Sequence, residues 1–150
     1  QRFAFSSRQG AGQDFLSRLV LPHHIFWRVW CVFGPHCATD CIWQHPAGTR
    51  AVRTTFSNVP LRERLVVHGG IDYQVARQRA FAPVTLTVWI DDERVGQLVH
   101  QDGDGWSRLE IDTSSRDGER AAVRFETTTS DSKARLFCYS ASIQTSGADD

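Results

Sequence analysis

From about Ala51 onward the chain alternates apolar and polar residues with a period of two, the signature of half-buried β-strands. Val52, Thr54 and Phe56 share one parity along a first segment, and Leu65-Val66-Val67 opens a second that Gly69-Gly70 is expected to bend or end. The run Pro83 to Ile90 is the clearest strand, rich in β-branched residues and Trp89, with Pro confined to its start. Asp91 to Arg94 forms a turn, and Val95 to His100 returns as a hairpin partner. Asp102-Gly103-Asp104-Gly105 makes the next turn from residues that tolerate positive φ. Trp106 to Asp112 follows, with Trp106, Leu109 and Ile111 as apolar positions. After a polar loop ending at Asp117-Gly118, Ala121, Val123 and Phe125 alternate on a sixth strand. Ser130 to Lys133 turns the chain again, and Leu136 to Ile143 forms the last strand. Seven strands in close succession, with no helical periodicity among them, predict an all-β antiparallel sandwich of the jelly-roll kind.

Residues 1–43 break this pattern. Residues 1–18 are polar and read as an extended arm, whereas 19–43 carry Trp27, Trp30, Trp43, Phe26, Phe33 and three of the four Cys. The division is therefore an N-terminal arm and apolar segment, 1–43, followed by a sandwich domain, 44–150. The stretch from Leu19 to Phe33 is interrupted by Pro22, His23, His24 and Arg28, so it is not a transmembrane helix. It must bury its surface on the domain, on a protein partner or at a membrane surface. Trp and Arg among aliphatics is the mixture found at protein interfaces, which makes Phe26, Trp27 and Trp30 interface candidates. Folding back onto the sandwich is the plainer alternative.

Charge and cysteine usage narrow the partners and the compartment. Seventeen basic residues balance 17 acidic ones, and no Lys/Arg cluster supplies a nucleic-acid face. The 4 Cys suit an oxidising, extracytoplasmic compartment, whether secreted, periplasmic or ectodomain. Three pairings are open; the preferred one joins Cys41 to Cys138 and Cys31 to Cys37. Free thiols and a zinc site with His36 and His45 are the alternatives, but the Cys spacing lacks the short pairs of a zinc ribbon. The sequence contains 0 Met, which reads as a processed product or a fragment.

The succession Val84-Thr-Leu-Thr-Val-Trp-Ile-Asp-Asp-Glu-Arg-Val-Gly, then Gly105-Trp106, Leu109-Glu-Ile-Asp-Thr and Ala121-Ala-Val-Arg-Phe resembles galactose-binding-domain-like jelly rolls, a group that includes many carbohydrate-binding modules. The resemblance covers about residues 51–144 and implies a non-catalytic binding module with carbohydrate as ligand. An accessory subunit docked in a larger assembly through the apolar segment is the alternative. Sugar sites combine an aromatic platform with a few planar polar groups, and His68, Asp72, Tyr73, Arg77, His100 and Trp106 sit at or near strand ends. Trp106 at the start of its strand also fits a core plug, and Trp89 fits the core or a sheet face. The resemblance also raises a structural calcium at Asp102 and Asp104, but two carboxylates fall short of the 6–8 oxygens that calcium takes, so no cofactor is expected. There is no Gly-x-Ser-x-Gly elbow, no His-Glu-x-x-His and no phosphate loop, so no enzyme activity is expected.

Overall fold

The structure, a computed structural model, describes residues 26–30, 38–78 and 81–145; for 26–30, 38–40, 73 and 74 the description is of the backbone. Among the described residues, nine strands form the two antiparallel sheets of a β-sandwich. They are β1 (Phe26–Trp30), β2 (Ala38–Trp43), β3 (Val52–Pro60), β4 (Arg64–Ile71), β5 (Val84–Ile90), β6 (Glu93–His100), β7 (Ser107–Asp112), β8 (Arg120–Thr129) and β9 (Phe137–Gln144). The first sheet has the order β1-β2-β9-β4-β7 and the second β3-β8-β5-β6. A single helical turn, α1 (Tyr73–Ala76), follows β4, and its N–H groups at Val75 and Ala76 donate to the Asp72 carbonyl.

Period-two alternation places the core. Val84, Leu86, Val88 and Ile90 of β5 face inward, as do Ala121, Val123 and Phe125 of β8. They meet Leu65, Val67, Ile71, Phe137, Tyr139, Ala141 and Ile143 of the first sheet in one continuous cluster. Each fully buried aliphatic or aromatic side chain contributes about 1.5–3 kcal/mol, so this cluster dominates folding. Trp89, as expected, lies on a sheet face; it points outward beneath Arg124, whose guanidinium carbon is 4.9 Å from the ring centroid.

Two polar side chains buried between the sheets are satisfied in full. Gln44 Nε2 donates to the carbonyls of Val52 (2.8 Å) and Phe125 (3.2 Å), while its Oε1 accepts from the hydroxyls of Thr54 (2.6 Å) and Tyr139 (3.3 Å). A single amide thereby ties β3, β8 and β9 to the chain leaving β2. Burial pushes the Tyr139 phenol far up, so it remains a donor to Gln44 at any ordinary pH.

The expectation that Gly69-Gly70 bends or ends the second strand is corrected: β4 runs through both to Ile71, paired with β9 throughout. The physical reason at Gly69 is close approach. A Cβ there would stand 2.8 Å from Phe137 Cζ, so only glycine lets the Phe137 ring pack against the strand. The apolar N-terminal segment also contributes to the sheet. β1 pairs with β2 from Phe26↔Ile42 to Trp30↔Ala38, and β2 pairs with β9 at Ile42↔Tyr139 and Trp43↔Cys138. Phe26, Trp27 and Trp30 therefore sit on a strand of this sheet. Cys41 and Cys138 form the expected disulfide across the β2/β9 junction, whereas Cys31 and Cys37 lie outside the described residues.

Candidate functional site

Four connections converge at one end of the sandwich: 44–51 after β2, 72–83 after β4, 101–106 between β6 and β7, and 130–136 before β9. The strand registers require this. Val84 pairs with both His100 and Thr129, while Ile71 pairs with Phe137 and Gly69 with Ser107. Loops held at one end of a rigid sandwich are where a binding site is expected.

An aromatic cluster occupies the outer face of the first sheet beside this end. The Cys41–Cys138 disulfide, with both residues 1% exposed, is its floor, and half-buried Trp43 and Trp106 pack against it. The His68 ring lies parallel to the Trp106 indole, with an interplanar angle of 1° and centroids 6.2 Å apart. His45, exposed, leans on Trp43 at 5.1 Å. His45 Nδ1 lies 2.9 Å from the Arg135 carbonyl; a carbonyl accepts only, so Nδ1 carries the proton. In the neutral ring this leaves Nε2 as an acceptor directed elsewhere. The pKa of His68 is lowered, first by burial and then by the neighbouring Arg108 guanidinium, so its ring stacks on Trp106 as neutral imidazole at pH 7.

Beneath the cluster the loops are pinned by an ion pair. Arg135, with a fully buried side chain, donates from Nη1 to Asp102 Oδ1 at 2.9 Å and from Nη2 to Asp102 Oδ2 at 3.1 Å. Nη1 also donates to the Ala82 carbonyl at 2.8 Å, and the Phe81 ring covers the guanidinium at 4.9 Å. The turn Asp102 to Gly105 uses its glycines at φ 94° and 72°, and Asp104 Oδ2 accepts from the Gln101 N–H at 2.8 Å. Both oxygens of Asp102 are thus engaged by Arg135, and Asp104 closes its own turn. Among the described residues no group of three or more His, Cys, Asp or Glu side chains is placed to hold a metal ion.

The sequence-predicted residues divide accordingly. His68 and Trp106 are brought together, and Trp106 is not a core plug: it shares parity with Arg108, Glu110 and Asp112 and so lies on the outer face. Asp72 and Arg77 stand at the same end, half-buried and exposed respectively, with Tyr73 between them on the α1 backbone. His100 is placed elsewhere. It shares parity with Leu98, is 1% exposed and faces the interior, with Nδ1 3.0 Å from Ser107 Oγ and its ring against Phe137. Burial lowers its pKa, Asp104 and Asp102 oppose that, and Arg135 adds to it. Sequence reasoning missed Trp43, His45 and Arg135 as parts of this end. Trp43 carried a signal in its parity with Cys41, but the Arg135 pairing across 33 residues carried none.

The sequence matches no known family and none of the curated proteins. Solved structures do share the fold. One contains the CBM51-2 domain in complex with GlcNAc and the INT domains of Clostridium perfringens ZmpB, with TM-score 0.52, 16% identity, and 73% of this chain matched to 23% of that one. A second holds the M60 catalytic domain with CBM51-1 and CBM51-2 of the same protein, with TM-score 0.50, 16% identity, and 71% matched to 10%. A third is CBM51 from Clostridium perfringens GH95 in complex with methyl-galactose, with TM-score 0.52, 11% identity, and 70% of each chain covered. The chain thus spans under a quarter of the first two. At such identities the likeness shows the fold, and the fold is the galactose-binding-like β-sandwich of these carbohydrate-binding modules.

Proposed function

We propose that this chain is a non-catalytic carbohydrate-binding module acting outside the cytoplasm, with its ligand seated at the loop end beside Trp106. The observation that carries the reading is the aromatic cluster, in which the Trp106 ring lies parallel to His68 with centroids 6.2 Å apart and, with Trp43, packs on a buried disulfide. An indole held rigid in this way presents a π surface to the C–H groups of a pyranose at little entropic cost. His45, Asp72 and Arg77 belong to the connections at the same end and are the candidate hydroxyl partners in this reading. The fold's occurrence in modules bound to GlcNAc and methyl-galactose makes those two sugars the first probes. The disulfide supports an oxidising compartment. No helix among the described residues is long and apolar enough to cross a membrane.

A glycan array followed by calorimetric titration tests the proposal. Binding of at least one glycan class is expected, weakened tenfold or more by Trp106→Ala and severalfold by His45→Ala, which removes an exposed ring. Silence across a broad array would defeat the carbohydrate reading. Undiminished affinity in Trp106→Ala would defeat the site.

A further inference from the structure

Arg135 is the largest fully buried side chain among the described residues, and it carries a charge. A buried ion pair is weak grounds for stability, because desolvating two charges offsets most of their attraction, and apolar replacement of both partners is often neutral. Geometry is what this pair supplies. The guanidinium is a rigid planar fork. The 72–83 and 130–136 loops already meet through the Asp72 N–H and the Leu136 carbonyl at 3.1 Å, and the fork ties the 101–106 loop to both. Its fork takes Asp102 from the 101–106 loop in a bidentate contact, and Nη1 holds the Ala82 carbonyl of the 72–83 loop. Asp102 Oδ2 in turn accepts the Phe81 N–H at 3.3 Å. The Arg135 carbonyl holds His45 of the 44–51 loop at 2.9 Å.

We infer that Arg135 and Asp102 are the positioning residues of the ligand end, fixing the 101–106 loop that carries Trp106 against the 81–83 segment before any ligand arrives. The inference rests on the carbohydrate reading for its consequence but not for its geometry. Loops fixed in the bound arrangement spare the ligand the cost of ordering them, so affinity depends on the pair although neither member touches the sugar.

The test uses the full chain as Arg135→Lys and as the double variant Asp102→Leu/Arg135→Met. Lysine keeps the charge but cannot hold Asp102 and the Ala82 carbonyl in one plane. Hydrogen exchange followed by mass spectrometry is expected to rise tenfold or more, together, in 81–83 and 101–106 of both variants, with β5, β8 and β9 unchanged. Affinity for GlcNAc or methyl-galactose, whichever the wild type binds, is expected to fall at least tenfold. Wild-type exchange in those loops, or a rise spread evenly through the sheets, would overturn the positioning role. If the wild type binds neither sugar, the exchange result still decides this inference, and only the carbohydrate reading falls.

Discussion

Replacing both Cys41 and Cys138 by Ala removes a cross-link that closes a sequence separation of 97 residues. In the chain-entropy account, a loop of that length restrains the unfolded ensemble by about 4.7 kcal/mol, with measured values nearer 2–4 kcal/mol. Both Cys residues are buried under Trp43 and Trp106, so the lost sulfur packing adds a fraction of a kcal/mol. The expected loss is therefore about 3–5 kcal/mol. With a urea slope of about 2 kcal/mol/M, the midpoint falls by about 2 M, and the slope itself rises because the unfolded chain is no longer looped. Urea titration followed by circular dichroism and by Trp fluorescence measures both quantities. The two probes need to be read separately, because β2 meets β9 at two register pairs, Ile42↔Tyr139 and Trp43↔Cys138. A loss below about 1 kcal/mol, or a fluorescence transition well ahead of the dichroic one, would refute the reasoning. It would mean that the disulfide holds only the β1–β2 hairpin and not the sandwich.

Gln44→Leu strands the Val52 and Phe125 carbonyls and the Thr54 and Tyr139 hydroxyls, at a cost of about 2–4 kcal/mol by thermal or chemical unfolding. Gly69→Ala drives a Cβ into the Phe137 ring and should cost about 1–3 kcal/mol, seen as a drop of several degrees in Tm. Stability should also fall in mild acid. His68 and His100 both have folded pKa values below the usual imidazole value of about 6.5. Between the folded and unfolded values the unfolded chain binds more protons, so stability is complete above about pH 6.5 and declines as pH drops through that value. Urea midpoints compared on either side of it, in wild type and in His100→Gln, should show the decline and its reduction in the variant.

Most of the sandwich was legible because period-two alternation is a direct image of a half-buried strand. β5 and β8 read from sequence nearly as they stand in space. Close approach is invisible in that image, so Gly69-Gly70 read as a break although the Phe137 ring is what demands Gly69. Non-local pairing is equally hidden: β2 looked like an apolar segment outside the domain, and only its register with β9 makes it a strand of the sheet. The site was partly legible through parity. Trp106 shares parity with Arg108 and Glu110 and so faces outward, while His100 shares parity with Leu98 and so faces the core. Carried to the strand ends, parity agrees with Trp106 as a sugar-site candidate and puts His100 inside. The Arg135–Asp102 pair could not be read from sequence, since two loop residues 33 apart carry no periodic signal.

The most direct test of a ligand seat beside Trp106 is an amide and indole chemical-shift titration of the isotopically labelled chain with GlcNAc and with methyl-galactose. The account predicts saturable shifts at the Trp106 and Trp43 indole N–H groups and in residues 44–51 and 101–106, with little change in the 113–119 connection at the opposite end. Shifts concentrated at that opposite end or on the Trp89 face, with the Trp106 indole unmoved, would contradict it.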